Sequence, residues 1–322
     1  FFKQKTAYDI MPSLVGSEMC IRDRVCIVGS MESTTPSKTI WNSPIRILSG
    51  IREFRRYPVI PIVILLVVLV IPAIFAPFIA PHDPLDGQLP DRLQPPVWDS
   101  NGSWDHILGT DKQGRDILSR IIHGSKYVLL VSLSVIFVSG VIGVSLGLIA
   151  GYFGGWADML IMRLVDVFLS IPAILLALAL VSARGPSFGI VIFVICFILW
   201  SRYARQVRGE VLAIKTQDYV VRARVVGASH FRVIVRHVFP NVVNTIVVLA
   251  TLQVGFVILL EAILSFLGAG IPRPTPAWGL LVADGRDLVI SGRGWQLSLF
   301  PGIAIVLVVL SFNLLGDWLR DR

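Results

Sequence analysis

The sequence predicts an all-α integral membrane protein with six transmembrane helices. Three observations carry that prediction. The 322-residue chain is 54% hydrophobic and only 16% charged, with a mean hydropathy of +0.74, whereas soluble domains run near a quarter charged. Its apolar residues fall in blocks long enough to cross a bilayer core, about 20 residues each. Its bases gather on segments that six crossings would place on one side. A soluble enzyme and a disordered tail both fit this composition poorly. The net charge of +8 is explained by topology, and no nucleic-acid partner is expected. Cys20, Cys26 and Cys196 form neither a metal-ligand spacing nor a disulfide framework. Cys196 lies inside an apolar run and reads as a packing residue.

Residues 1–30 are set apart first. FFKQKTAYDIMPSLVGSEMCIRDR mixes acids and bases throughout and lacks the apolar core of a signal peptide. It resembles translated sequencing-adapter read-through, so the fold is read from Met31. This leader carries four bases against three acids, a net of +1, which leaves +7 on the remainder. Residues 31–58 read as a cytoplasmic N-terminal segment in which Arg52, Arg55 and Arg56 precede the first span.

The first span is 59–80, uncharged, with Pro61, Pro72 and Pro77 as expected bending points. A polar segment, 81–126, follows; its acids outnumber its bases. Residues 127–322 read as a five-helix core. Its first span, Tyr127–Ala150, is followed at once by Gly151, so that Ser139, Gly143, Gly147 and Gly151 recur every fourth residue. Either this is a small-residue stripe that admits a close helix neighbour, or it is glycine scattered along a membrane helix. GYFGGW (Gly151–Trp156) reads as a turn. The third span is about Met159–Val181 and the fourth about Pro186–Tyr203. Arg163 and Asp166, three apart, read as a structural ion pair on one face. The fifth span is about Val242–Leu264 and the sixth about Leu299–Leu315. Six spans put both termini on one side, together with the strongly basic stretch 201–240. Lys and Arg crowd cytoplasmic loops, so all three are expected in the cytoplasm and 81–126 outside.

The basic stretch is patterned as well as charged. Thr216 is expected to N-cap a short helix with Asp218 in its first turn. Tyr219, Val220, Ala223, Val226 and Gly227 then recur at helical spacing. Gly227 breaks this helix or allows a close backbone approach. Ser229 is expected to cap a second helix that Pro240 ends. The product is two short amphipathic helices joined at a small corner, Gly227-Ala228-Ser229. On physical grounds such a hairpin fits a groove on a partner protein and the surface of a lipid bilayer equally well.

DYVVRARVVGASHFRVIVRHVFPN (Asp218–Asn241) resembles the EAA loop of ABC importer permeases, in which a glycine precedes a proline by thirteen residues, as Gly227 precedes Pro240. Four further segments are similar to the dipeptide/oligopeptide/nickel permease family, in its C-type subunit. They are LGTDKQGRDILSRIIHGSK (Leu108–Lys126), GYFGGWADMLIMRLVDVFLSIPAILLALAL (Gly151–Leu180), EAILSFLGAGIPRPTPAWG (Glu261–Gly279) and FPGIAIVLVVLSFNLLGDWLRDR (Phe300–Arg322). The five stand in the family's order and run from Leu108 to Arg322. The sequence departs from the family where its EAA glutamate falls at Val221 and its first alanine at Arg222; Ala223 and Gly227 keep the pattern.

The resemblance implies a type I ABC importer permease fold in a bacterial or archaeal cytoplasmic membrane. It implies no catalytic site and no cofactor on this chain, with ATP–Mg on partner subunits. The implied partners are a second homologous permease, two ABC ATPase subunits, an external solute-binding protein and membrane lipid. The implied coupling elements are Asp218, Tyr219, Arg222, Ala223, Gly227, Ala228, Ser229 and Pro240. Gly143, Gly147 and Gly151 are expected to pack helices. Glu261 reads either as a residue near an outer gate or permease interface, or as a structural residue standing in water at the membrane surface. Arg115, Asp116 and Arg120 read as part of a surface helix orienting the outer face. The absence of a GxxxxGK[ST] phosphate loop agrees with a non-catalytic subunit. Rival readings are a secondary transporter, which would show paired repeats with interrupted helices, a membrane scaffold and, within the family, a nickel or metal-chelate importer.

Overall fold

The computed structural model describes residues 58–290 and 294–321. The expected leader (1–30) and residues 31–57 of the N-terminal segment lie outside the described residues. Nine helices follow in order among those described: α1 (Val59–Ile79), α2 (Ile117–Phe153), α3 (Gly155–Ser170), α4 (Ala173–Arg184), α5 (Phe188–Ile214), α6 (Asp218–Val225), α7 (His230–Phe266), α8 (Trp278–Ile290) and α9 (Gln296–Arg320). The described residues contain no named strand, only two isolated antiparallel bridges, Gly87 with Arg115 and Thr110 with Asp116.

By length and composition, α1, α2, α5, α7 and α9 are each long and apolar enough to cross a membrane. The sixth crossing is broken: α3 and α4 pass that test only together and bend by 88° at their joint. The continuous third span expected over Met159–Val181 is therefore corrected. The cause is local. Ile171 is extended (ψ 130°) and Pro172 follows it, and a proline ring disfavours helical geometry in the residue before it. Of the three prolines expected to bend α1, Pro77 is marked by a break in helical geometry: Phe75 (φ −104°, ψ 16°) leaves it two residues before. The turn expected over Gly151–Trp156 is shorter than foreseen. Gly151–Phe153 stay helical, and Gly154 and Gly155 turn the chain with φ of 66° and 54°.

The α2–α5 seam is the most extensive helix contact among the described residues. Ser139, Gly143, Gly147 and Gly151 are all buried on one face of α2. A Cβ on Gly143 would stand 2.4 Å from the Trp200 carbonyl oxygen and 2.5 Å from Tyr203 Cβ. At Gly147 it would meet the Ala204 carbonyl oxygen at 2.7 Å, and at Gly151 Val211 Cβ at 2.7 Å. The atoms met are backbone carbonyls and the stems of side chains at their Cβ, which cannot swing aside. Val131, Val135, Ile195, Leu199, Val207 and Val211 fill the flanks of the seam and are buried. A second apolar cluster joins Leu65 and Leu69 of α1 to Ile258 of α7, Trp278 of α8 and Val308 of α9.

The polar segment folds onto the first turns of α2. Asp116 N-caps that helix by accepting from the Ser119 N–H at 2.7 Å. Asp111 accepts from Arg115 Nε at 2.7 Å and Arg120 Nη1 at 2.5 Å, and its other oxygen accepts from the Gln113 and Arg115 backbone N–H groups at 2.7 and 2.9 Å. Asp111 and Arg120 are each 1% exposed. The surface helix expected from Arg115, Asp116 and Arg120 is thus corrected: these side chains are interior. Burial requires the charges to be paired, and the Asp111 carboxylate pairs with both arginines. The Arg163–Asp166 pair is corrected too. α3 packs against α5, so Asp166 pairs with Arg205 and Asp158 takes Arg208 through bonds of 2.9 and 2.7 Å.

Two outcomes follow from this packing. Gly143→Val destabilises the protein by more than about 3 kcal/mol, because the clash is with backbone, whereas Gly140→Val, with nothing within 4 Å of its Cβ, leaves the yield of monodisperse protein in detergent unchanged. Equal yields from the two would disprove the seam. Asp111→Ala leaves two buried guanidiniums without their carboxylate and costs about 3–5 kcal/mol, read as a lowered midpoint of thermal unfolding in detergent.

Candidate functional site

The basic stretch 201–240 begins as helix. α5 runs on to Ile214, which moves Arg202, Arg205 and Arg208 out of the expected loop. Thr216 does not cap α6. Its Oγ1 donates back to the Ala213 carbonyl at 3.0 Å, and Gln217 occupies the N-cap without a side-chain bond. The hydroxyl is captured by the end of α5, one residue too early to serve α6. Asp218 stands in the first turn of α6, as expected.

The corner that follows is a Schellman closure. Gly227 has φ +88°, its N–H donates to the Arg224 carbonyl at 2.9 Å, and the Ala228 N–H donates to the Ala223 carbonyl at 3.1 Å. A Cβ at Gly227 would meet nothing within 4 Å. The position therefore needs glycine for its backbone geometry, with no crowding involved. Ser229 then caps the next helix, its Oγ accepting from the Arg232 N–H at 3.4 Å. Pro240 does not end that helix. Residues Ile234–Val238 widen to π geometry just before it, which accommodates the missing proline N–H. Asn241 Nδ2 donates to the His237 carbonyl at 2.7 Å. One helix, α7, therefore runs from the corner into the membrane-length span.

The corner has an inner and an outer face. Val220, Val233 and Val238 are fully buried and belong to the main core. Val225 is 81%, Val226 88% and Phe231 77% exposed. The residues that recur at helical spacing are split accordingly: Val220 faces inward, while Tyr219 and Val226 are exposed. Arg222, Arg224, Arg232 and Arg236 lie close in sequence to these apolar residues and are exposed too.

The inner face is tied to the end of α2. The Tyr152 hydroxyl and His230 Nδ1 lie 3.0 Å apart, the Arg224 guanidinium sits 4.8 Å over the Tyr152 ring, and Lys215 Nζ donates to the Gly151 carbonyl at 2.8 Å. None of these ties was read from the sequence. Tyr152 and His230 are 78 positions apart, and the only cue was their lying at two adjacent turns of the topology.

Glu261 is 3% exposed in α7 and accepts a 2.6 Å hydrogen bond from Ser265 Oγ. Ser265 Oγ lies 3.4 Å from the Ile271 N–H, which it accepts. The reading of Glu261 as water-exposed is corrected; the carboxylate braces the end of α7 against the chain that leads to α8. A half-open cavity of about 700 Å³ lies where α5, α7 and α9 meet, at the end of the bundle that carries the corner. Gln206, Glu210, Asn244, Thr245 and Arg320 give it polar walls.

The arrangement is mechanical. It offers an exposed apolar tip flanked in sequence by arginines, closed by a glycine and fixed to two long helices. Residues 143–322 match the family described as binding-protein-dependent transport system inner membrane component. The chain is 41% identical over 249 residues to a di/tripeptide transport system permease protein of Pseudomonas aeruginosa, covering 77% of this chain and 82% of that one. It is 40% identical over 248 residues to a probable D,D-dipeptide transport system permease protein of Escherichia coli, covering 77% and 80%. It is also 40% identical over 250 residues to a glutathione transport system permease protein of Pectobacterium atrosepticum, covering 77% and 80%. The chain belongs to this family: it is an inner-membrane, multi-pass and non-catalytic permease component of a binding-protein-dependent ABC transport system.

Proposed function

We propose that this permease moves peptides or related small solutes and that the α6–α7 corner is where an ATPase subunit engages it. The observation that carries the coupling role is the exposed apolar tip, Val225, Val226 and Phe231, on a rigid Schellman corner. Apolar side chains at that exposure are driven to be covered by a partner when they stand in water. The peptide class rests on the names of the relatives, whose printed substrates are dipeptides, tripeptides and glutathione.

In this reading the chain pairs with a second homologous permease, two ATPases carry ATP–Mg, and a solute-binding protein delivers from outside. Both termini and the corner face the cytoplasm, and 81–116 faces outward. The ATPase grips the tip when it closes on nucleotide. The corner then moves α7 as a lever, because helix runs unbroken from Ser229 into the span. The ties from Tyr152 and Lys215 pass the same displacement to α2. The cavity between α5, α7 and α9, with mixed polar and aliphatic walls, supplies part of the solute path, completed by the second permease.

Gly227→Asp tests the coupling role. It strains the corner and places a carboxylate beside the apolar tip. Uptake of a radiolabelled dipeptide falls more than tenfold at unchanged membrane abundance, and ATP hydrolysis loses its stimulation by the binding protein. Normal uptake by that variant would sink the assignment. Glu261 separates bracing from gating. Glu261→Ala removes the Ser265 acceptor and costs about 1–3 kcal/mol, so the unfolding midpoint drops while uptake per folded molecule stays at the wild-type level. Reduced uptake per folded molecule would return Glu261 to the transport path.

A further inference from the structure

The polar segment between α1 and α2 brings together three side chains that the transport reading does not use. His82 follows α1 closely, and its backbone N–H donates to Ser119 Oγ at 3.0 Å, which holds the residue at the first turn of α2. His106 Nδ1 lies 3.1 Å from Asp116 Oδ1. The two imidazole rings have centroids 4.7 Å apart. One potential ligand atom from each of His82, His106 and Asp116 lies within 4.8 Å of the others.

We propose that His82, His106 and Asp116 form a binding site for a divalent transition-metal ion of the Zn²⁺ class. The donor set is two imidazole nitrogens and one carboxylate oxygen, the mixture that such ions take. The distances suit it. Metal–nitrogen and metal–oxygen bonds of about 2.0–2.1 Å at tetrahedral angles put neighbouring donors roughly 3.3 Å apart. The His106–Asp116 separation already matches that edge. His82 has to close by up to about 1.5 Å on the same geometric basis, and its side chain is exposed. Asp116 is 1% exposed, and its second oxygen is fixed by the Ser119 N–H and hydroxyl, both at 2.7 Å. The carboxylate is thus pre-oriented, as a ligand held by outer-shell hydrogen bonds should be.

The surroundings favour a cation. The three donors line a cavity of about 360 Å³ whose other walls include Asp83, Asp86 and Asp105. That acidity raises the local concentration of cations and offsets the positive end of α2, which Asp116 already caps. Three protein ligands leave a coordination position open toward the cavity. A bound ion would tie the residues just after α1 to the first turn of α2. The alternative is a plain His106–Asp116 hydrogen bond with His82 stacked on it. The two differ in whether His82 contributes to metal affinity.

The test uses the complete transporter in lipid nanodiscs, stripped with a chelator, then titrated with Co²⁺ and followed by visible absorption and elemental analysis. The wild type binds one more Co²⁺ per copy of this chain than His82→Ala does, with the ligand-field bands of a low-coordinate site, and Zn²⁺ displaces it. The variant's affinity at this site is weaker by at least about tenfold. Because His82 is exposed, its replacement leaves the fold and the other subunits' metal sites in place, so the difference reports this site alone. Equal cobalt binding by wild type and variant, or none by either, would overturn the proposal.

Discussion

The architecture depends on how closely α2 can approach α5. Ser139, Gly143, Gly147 and Gly151 leave α2 without a ridge on one face, so the α5 backbone at Trp200 and Ala204 comes within reach of it. Inside a bilayer, apolar side chains gain nothing by leaving lipid for protein, so dispersion and close fit must hold helices together. A seam of small residues maximises both. It also positions the two helices whose ends carry everything at the loop side of the bundle. α2 ends in Gly151 and Tyr152, and α5 ends in the turn that starts α6.

That shared end explains why the corner has a fixed place although few of its own residues are buried. Val220, Val233 and Val238 insert into the core, and Lys215, Arg224 and His230 reach back to Gly151 and Tyr152. The corner is therefore referenced to the seam. A displacement applied at Val226 has two routes into the membrane, the continuous α7 and the polar ties to α2. The π-turn ahead of Pro240 matters here. Had the proline broken the helix, the corner would hang from a hinge and transmit little.

The sequence made legible whatever repeats or ends locally. The apolar blocks located five crossings, the four-residue stripe marked the seam, and Gly227 and Ser229 marked the corner, because each is governed by near neighbours. The misread features turn on contacts from far along the chain or on competition between local options. Asp166 chose Arg205 over Arg163 because α3 lies on α5. Glu261 proved to be interior because the chain beyond Ser265 folds back over it. The buried Asp111–Arg120 pair looked like surface charge because composition alone cannot say what covers a polar segment. The break at Ile171-Pro172 is signalled only by a proline inside a long apolar block, where a membrane helix can also absorb one as a bend. The ties of Tyr152 to His230 and of Lys215 to Gly151 had no local signature at all.

The exposed apolar residues fall into two physical classes. Phe78, Phe137 and Val306 are exposed at 87%, 73% and 63% on helices of membrane length, and lipid satisfies them without any partner. Val225, Val226 and Phe231 are equally bare, but they lie at the corner and in the first turn of α7, close in sequence to Arg222, Arg224, Arg232 and Arg236. Guanidinium groups at that density mark a watery or interfacial setting, where apolar area is worth about 25 cal/mol per Å² when covered. A lipid surface could cover such a tip only if the corner lay flat along it. Here the chain is closed by a positive-φ glycine and its inner face is already buried in the protein, so Val225 and Val226 stay bare on the other face. In the proposed coupling role, that fixed geometry favours a protein groove over a headgroup layer as the cover.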